Sequence, residues 1–138
     1  MSNGIPKYDP MLDLDLEQWG SLDEDQRLEI VIEYHREARI DLPDKHTHAL
    51  MHVIIENQNA LEGKTPVAAT IHRLLNEGLD RHDAIHAIVS VLVNFMFERM
   101  KGEASDRSND LYYAELKQLT ADKWNRGVYM DTADKSHE

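Results

Sequence analysis

Histidine is the residue type in this sequence that offers the most chemistry. The 138-residue chain contains eight histidines and no cysteine. Imidazole binds first-row transition metals and exchanges protons near neutral pH, so histidines grouped at regular spacing are candidates for either task. The absence of cysteine excludes a disulfide framework, an iron–sulfur cluster, a thiolate zinc site and a cysteine nucleophile. Any metal must therefore be held by imidazole and carboxylate groups.

Two stretches of the chain carry histidines four residues apart. His48, His52 and Glu56 follow one another at this spacing, and His82 and His86 repeat it farther along. Residues four apart lie on one face of a helix, so each pair of imidazoles can chelate one cation. Glu56 is a candidate for a ligand, a bridge to a second ion or a general base. Together the two stretches predict a metal site between two helices.

His35 is a fifth candidate ligand. It lies within the apolar face of its predicted helix, so its ring is expected to point inward, towards the other elements. A single inward histidine is more often a hydrogen-bonded core residue. His35 is therefore a candidate ligand only because the two histidine pairs are also present. His46, His72 and His137 occupy peripheral positions, and we expect none of them to be essential.

The predicted donor set consists of imidazole nitrogens and one carboxylate. Zinc is the first choice for such a site and iron the second. A site that keeps one coordination position open would activate a bound water for hydrolysis, or with iron would react with oxygen. The sequence predicts the metal site without naming a reaction.

The same two stretches resemble a family signature. In one-letter code, HxxxHxxxENQ begins at His48 and RHDAIHAI begins at Arg81. This pattern is similar to that of a small bacterial protein family whose members carry a domain of unknown function. The resemblance extends from His46 to Glu98. It implies that the paired histidines and Glu56 act as one unit, and it implies no substrate.

Five helices joined by short segments are predicted to position these residues. Caps and helix breakers predict them at residues 21–39, 44–61, 66–78, 80–101 and 106–124. The fold class is therefore all-α: a bundle of four main helices plus a C-terminal helix, with an irregular N-terminal arm. The fourth helix is expected at the centre because it is apolar almost throughout.

The predicted organisation is a single helical domain between two polar ends. The N-terminal arm comprises residues 1–20, and Trp19 is expected to anchor it to the body. The helical domain comprises residues 21–126, and a polar tail residues 127–138.

The charge of the chain excludes several partners. With 26 acidic and 15 basic residues, the formal net charge is −11. This balance argues against nucleic acid or an anionic membrane as the main partner.

No apolar stretch reaches the ~20 residues of a membrane span, and the first residues lack the pattern of a signal peptide. We therefore expect a cytoplasmic protein.

A second interpretation assigns the histidines no metal. The chain is then a non-enzymatic, acidic helical module that binds a protein partner or forms a homodimer through its apolar helix. The histidines would be buried hydrogen-bonding groups or a pH-sensitive face. A weaker third interpretation, an inhibitor that imitates nucleic acid, requires the acidic residues on one face, whereas they are spread along the chain.

Overall fold

The computed structural model describes residues 6–38, 44–100 and 109–127. Across these ranges the secondary structure is helical and contains no strand, which confirms the all-α prediction. The helices are α1 (Leu16–Gly20), α2 (Glu24–Glu37), α3 (Lys45–Ala60), α4 (Val67–Asn76), α5 (Arg81–Met100), α6 (Asp110–Gln118) and α7 (Ala121–Asn125), with a 3₁₀ turn at Glu62–Lys64. Positions outside the described residues include Arg39, Ser105, Asp106, His137 and the predicted tail beyond Gly127.

Aspartate caps begin the two helices that carry the paired histidines. The Asp44 carboxylate accepts a hydrogen bond from the backbone N–H of Thr47 at 3.1 Å, and α3 starts there as predicted. Asp80 accepts from the backbone N–H of Asp83 at 2.8 Å at the start of α5. Such caps satisfy backbone donors that have no partner within the helix.

The start of α2 differs from the prediction. The predicted capping box paired Ser21 with Glu24, but the box that forms pairs Asp23 with Gln26. Each side chain bonds to the backbone N–H of the other, at 2.8 and 2.9 Å. The Ser21 hydroxyl instead donates to the carbonyl of Gln18 and closes α1. The arm thus contains a short helix that was not predicted.

The C-terminal helix predicted over residues 106–124 is wrong in one respect, because it is broken in two. Leu119 has an extended backbone between α6 and α7, and the Thr120 side chain caps α7. Arg73 of α4 holds the break open by donating to the carbonyls of Leu116 at 2.9 Å and Leu119 at 2.7 Å. Both carbonyls lie at the end of α6, where the Leu116 carbonyl also accepts a long hydrogen bond from the backbone N–H of Leu119 at 3.3 Å.

The core consists of two clusters of buried apolar side chains. The larger one joins α5 to α4, α6 and α7, and α5 also packs against α3, in keeping with its predicted central position. The smaller one joins the N-terminal arm and α1 to α2 and α3. Trp19 belongs to the smaller cluster, where it is 3% exposed and donates its indole N–H to Asn57 at 2.9 Å. The predicted anchor is confirmed.

Within the described residues, no helix is both long enough and apolar enough to cross a bilayer.

Candidate metal centre

Five histidines from three helices meet at one place in the bundle. His35 comes from α2, His48 and His52 from α3, and His82 and His86 from α5. Neighbouring rings have centroids 4.4 to 5.1 Å apart. We call these five residues the histidine cluster. Helical spacing brings each pair to one face, and packing of α2 and α5 against α3 brings the faces together.

The cluster combines two buried histidines with three partly exposed ones. His52 is 0% exposed and His35 is 2% exposed, which confirms that the His35 ring points inward. His48, His82 and His86 are partly exposed. Nε2 of His82 is itself buried, so the exposed part of that residue does not include this nitrogen.

The two remaining described histidines take no part in the cluster. His46, at the start of α3, and His72, on α4, are both exposed. Of the described histidines, these two are the ones that the sequence predicted to be peripheral.

The imidazole nitrogens lie at distances close to those of a coordination sphere. One nitrogen each from His35, His48, His52 and His82 falls within 4.8 Å of the other three. Nε2 of His86 lies 3.1 Å from Nε2 of His52 and 3.1 Å from Nε2 of His48. Two nitrogens bound to one zinc ion at ~2.0–2.1 Å are ~3.3 Å apart in a tetrahedral site. The separations from His86 already match this value, whereas a separation of 4.8 Å within the group of four would have to shorten by about 1.5 Å for one ion to bind both nitrogens.

Two buried nitrogens of the cluster have no hydrogen-bond partner among the described residues. They are Nε2 of His35 and Nε2 of His82. Nδ1 of His35 lies 2.9 Å from the carbonyl of Val31. Because a carbonyl only accepts, Nδ1 carries the hydrogen and Nε2 carries a lone pair. A buried polar atom without a partner costs ~1–3 kcal/mol, and a bound cation would remove that cost.

Burial lowers the pKa of the innermost imidazoles. The pKa of His52 is well below its usual value because the ring is buried and its histidine neighbours oppose a positive charge. Burial also lowers the pKa of His35, and of His82, where Asp80 and Asp9 act in the opposite direction. These histidines are therefore neutral near pH 7, which is the form that binds metals.

Glu56 does not face the imidazoles, although it continues their stripe on α3. It is 0% exposed, and its two oxygens accept hydrogen bonds from the Arg81 guanidinium, each at 2.9 Å. Oε2 also accepts from the Tyr8 hydroxyl at 2.8 Å. The geometry therefore favours none of the three predicted roles, which were a ligand, a bridge to a second ion and a general base. Glu56 is the buried anion that pairs with Arg81 behind the cluster.

Sequence reasoning missed two residues beside the cluster. Arg81 is 4% exposed and directly precedes His82, so the motif contained it, but nothing local indicated that a guanidinium would turn inward. Tyr8 is 6% exposed, and its hydroxyl lies 3.1 Å from Nδ1 of His52. It comes from the N-terminal arm, and no spacing rule relates it to the histidines.

Comparisons with protein-family models, with curated proteins and with solved structures give no match for this chain. The resemblance to a bacterial family of unknown function therefore stays a prediction. Because one fold can host many unrelated functions, the helical bundle alone indicates no activity, and the histidine cluster is the feature that points to a function.

Proposed function

We propose that the protein binds a transition-metal ion in the histidine cluster, with zinc as the first choice and iron as the second. The observation that carries this proposal is the convergence of nitrogens from His35, His48, His52 and His82 within 4.8 Å. Two further observations support it. Nε2 of His35 and of His82 is buried without a hydrogen-bond partner. The pKa values of His35, His52 and His82 are lowered, which favours the neutral imidazole that binds metals. His86 adds a fifth imidazole to the same space.

The donor types select the class of metal. Of the described carboxylates, none offers an oxygen to this group, so the donors are imidazoles alone. Imidazole suits zinc, iron, copper and nickel, whereas magnesium and calcium require oxygen ligands. We therefore expect tight binding of zinc and no competition from magnesium.

The partly exposed side of the cluster supports a more specific role. An ion bound beside His48 and His86, which are partly exposed, would be reachable from solvent, so one coordination position could take water or a substrate. Such a site suits two activities, metal-dependent hydrolysis and a redox reaction, and both remain proposals. The cytoplasmic location and the homodimer also remain proposals.

Metal content separates this proposal from the non-enzymatic alternative. Protein made without a histidine tag is dialysed against zinc and then analysed for bound metal. We expect close to one ion per chain, and loss of that ion when His52 and His86 are both changed to alanine. The matched control is His72→Ala, which removes an exposed imidazole on α4 and should retain the ion.

Two results would overturn the proposal. One is a wild-type protein that retains no zinc and melts at the same temperature with and without it. The other is equal loss of zinc in the His72→Ala control. If the double variant does not fold, His48→Ala alone, which removes one of the four converging imidazoles at a partly exposed position, gives the same comparison. The alternative, an acidic helical interaction or dimerisation module with structural histidines, predicts the metal-free result.

A further inference from the structure

The hydrogen bonds behind the cluster link it to the N-terminal arm. We propose that Tyr8 is a positioning residue of the metal site, and that through Tyr8 the docking of the arm and the binding of metal stabilise each other. This inference rests on the proposed function. It extends that function to a part of the chain that supplies none of the imidazoles in the cluster.

The first step concerns the single proton of the Tyr8 hydroxyl. This oxygen lies 2.8 Å from Oε2 of Glu56 and 3.1 Å from Nδ1 of His52. Glu56 is a carboxylate paired with Arg81, so it can only accept, and Tyr8 must donate to it. The Tyr8 oxygen is then left as an acceptor, and Nδ1 of His52 must carry a hydrogen.

The second step follows from the two tautomers of a neutral imidazole. With its hydrogen on Nδ1, His52 has a lone pair on Nε2. That nitrogen is the one that lies 3.1 Å from Nε2 of His86, inside the cluster. Tyr8 therefore holds His52 in the tautomer and the orientation that a metal ligand requires. Hydrogen bonds to the distal nitrogen of a ligating histidine commonly act in this way.

The third step is that the arm is fixed at the same place by a second bond. Arg81, which holds Glu56, also donates to the carbonyl of Pro10 at 3.1 Å. The Tyr8 ring packs edge-on against His52, with centroids 5.9 Å apart, and lies 6.2 Å from the ring of Trp19. Undocking the arm would release His52 and expose the buried pair of Arg81 and Glu56.

Coupling between the two events must be reciprocal. If a docked arm strengthens metal binding, bound metal strengthens docking by the same free energy. The arm is then docked more tightly in the metal-bound protein than in the metal-free protein.

The test compares two tyrosine variants. Tyr8→Phe keeps the ring and removes only the hydroxyl. The control is Tyr34→Phe, because the Tyr34 ring also packs on the cluster, 5.0 Å from His35 and 5.8 Å from His82, yet among the described residues its hydroxyl bonds to no cluster nitrogen. Zinc affinity is measured by competition with a chromophoric chelator. We expect binding to weaken by about 10- to 100-fold in Tyr8→Phe and to stay near the wild-type value in Tyr34→Phe.

Two measurements on the wild-type protein test the mechanism directly. Nitrogen NMR of the imidazoles should find His52 protonated at Nδ1 in the zinc-bound protein. Amide hydrogen exchange from Lys7 to Asp15 should slow when zinc binds, and this slowing should be smaller in Tyr8→Phe. A merely structural tyrosine would alter neither the tautomer nor the response to zinc. These readouts also decide the question if Tyr8→Phe does not fold.

The outcomes separate this inference from the proposed function. If the wild-type protein binds no zinc, both are overturned. If it binds zinc and Tyr8→Phe binds equally tightly, only the role of Tyr8 is overturned. Two other results would also overturn the role of Tyr8. One is protonation of His52 at Nε2, and the other is amide hydrogen exchange in the arm that does not change when zinc binds.

Discussion

Changing Glu56 to glutamine removes one charge from a buried ion pair at nearly constant shape. In the native protein Glu56 and Arg81 are 0% and 4% exposed and form two hydrogen bonds of 2.9 Å. Glutamine keeps one accepting oxygen but turns an NH₂ group towards another donor, and it leaves the guanidinium charge without a buried partner. Asp13 gives little relief because its carboxylate is 4.0 Å from Arg81 and 90% exposed.

The expected loss of stability is large for a single atom exchange. Breaking a buried pair by removing one partner costs ~3–5 kcal/mol, and the retained hydrogen bond favours the lower end, about 3 kcal/mol. With a slope of about 2 kcal/mol per molar urea, the unfolding midpoint falls by about 1.5 M. The assay is urea unfolding followed by circular dichroism, with a chelator present so that metal does not contribute.

The control variant is Glu33→Gln, which breaks the exposed ion pair with Arg36 on α2. Its midpoint should stay near that of the wild-type protein, because solvent-exposed pairs contribute little. Replacing both buried partners, Glu56→Leu with Arg81→Met, should cost less than the two single changes together, since neither charge is then left alone. A Glu56→Gln midpoint equal to that of the control would refute the buried pair as described.

Three further predictions concern pH, metal and a helix cap. Burial lowers the pKa of His52, so this ring takes up a proton near pH 6.5 in the unfolded chain but not in the folded protein. Metal-free protein should therefore lose up to about 1.4 kcal/mol of stability per pH unit below 6.5. Urea unfolding at several pH values measures this loss, and a stability that rises on acidification would contradict it. Zinc at a hundred times its dissociation constant should add about 2.7 kcal/mol to the free energy of unfolding, reversed by chelator, and an unchanged midpoint would argue against binding to the folded state. Thr120→Ala removes the cap of α7 and should cost about 1 kcal/mol in urea unfolding, whereas no change would mean that Arg73 alone holds the break.

The helical spacing of the histidines was predictable because it is a local property. Residues four apart share a helix face whatever the helix packs against, so each histidine pair could be read from the sequence. The inward position of His35 followed from the apolar residues around it. The caps at Asp44 and Asp80 were equally local, since each bonds within its own first turn.

The partners of Glu56 were not predictable by the same means. Its stripe on α3 was correctly placed, but which charge would face it depended on how α5 and the arm pack against that stripe. Arg81 and Tyr8 lie 25 and 48 residues away in sequence. From the sequence alone, a carboxylate in line with two histidines is interpreted as a third ligand, because the guanidinium that binds it is distant in sequence.

The break at Thr120 had a local signal that the apolar pattern obscured. Threonine before Ala-Asp is a fair helix start, and its side chain accepts from the backbone N–H of Lys123 at 3.1 Å. The apolar residues on either side, however, fit one continuous helix equally well. The hydrogen bonds that Arg73 donates from across the bundle to the carbonyls of Leu116 and Leu119 favour the broken form, and these contacts are tertiary.

A cluster that offers neutral imidazoles alone has a consequence for charge balance. Glu56 is already neutralised by Arg81, so a divalent ion held by the cluster would keep its full charge in partly buried surroundings. Asp9 and Asp80 are close enough to His82 to oppose the lowering of its pKa by burial, so both could supply counter-charge to such an ion. Beyond them, the net charge of −11 surrounds the site with a negative field that draws cations towards it at low ionic strength. In the proposed function, the acidic surface would therefore concentrate the ion, and the uncharged donor set would select it.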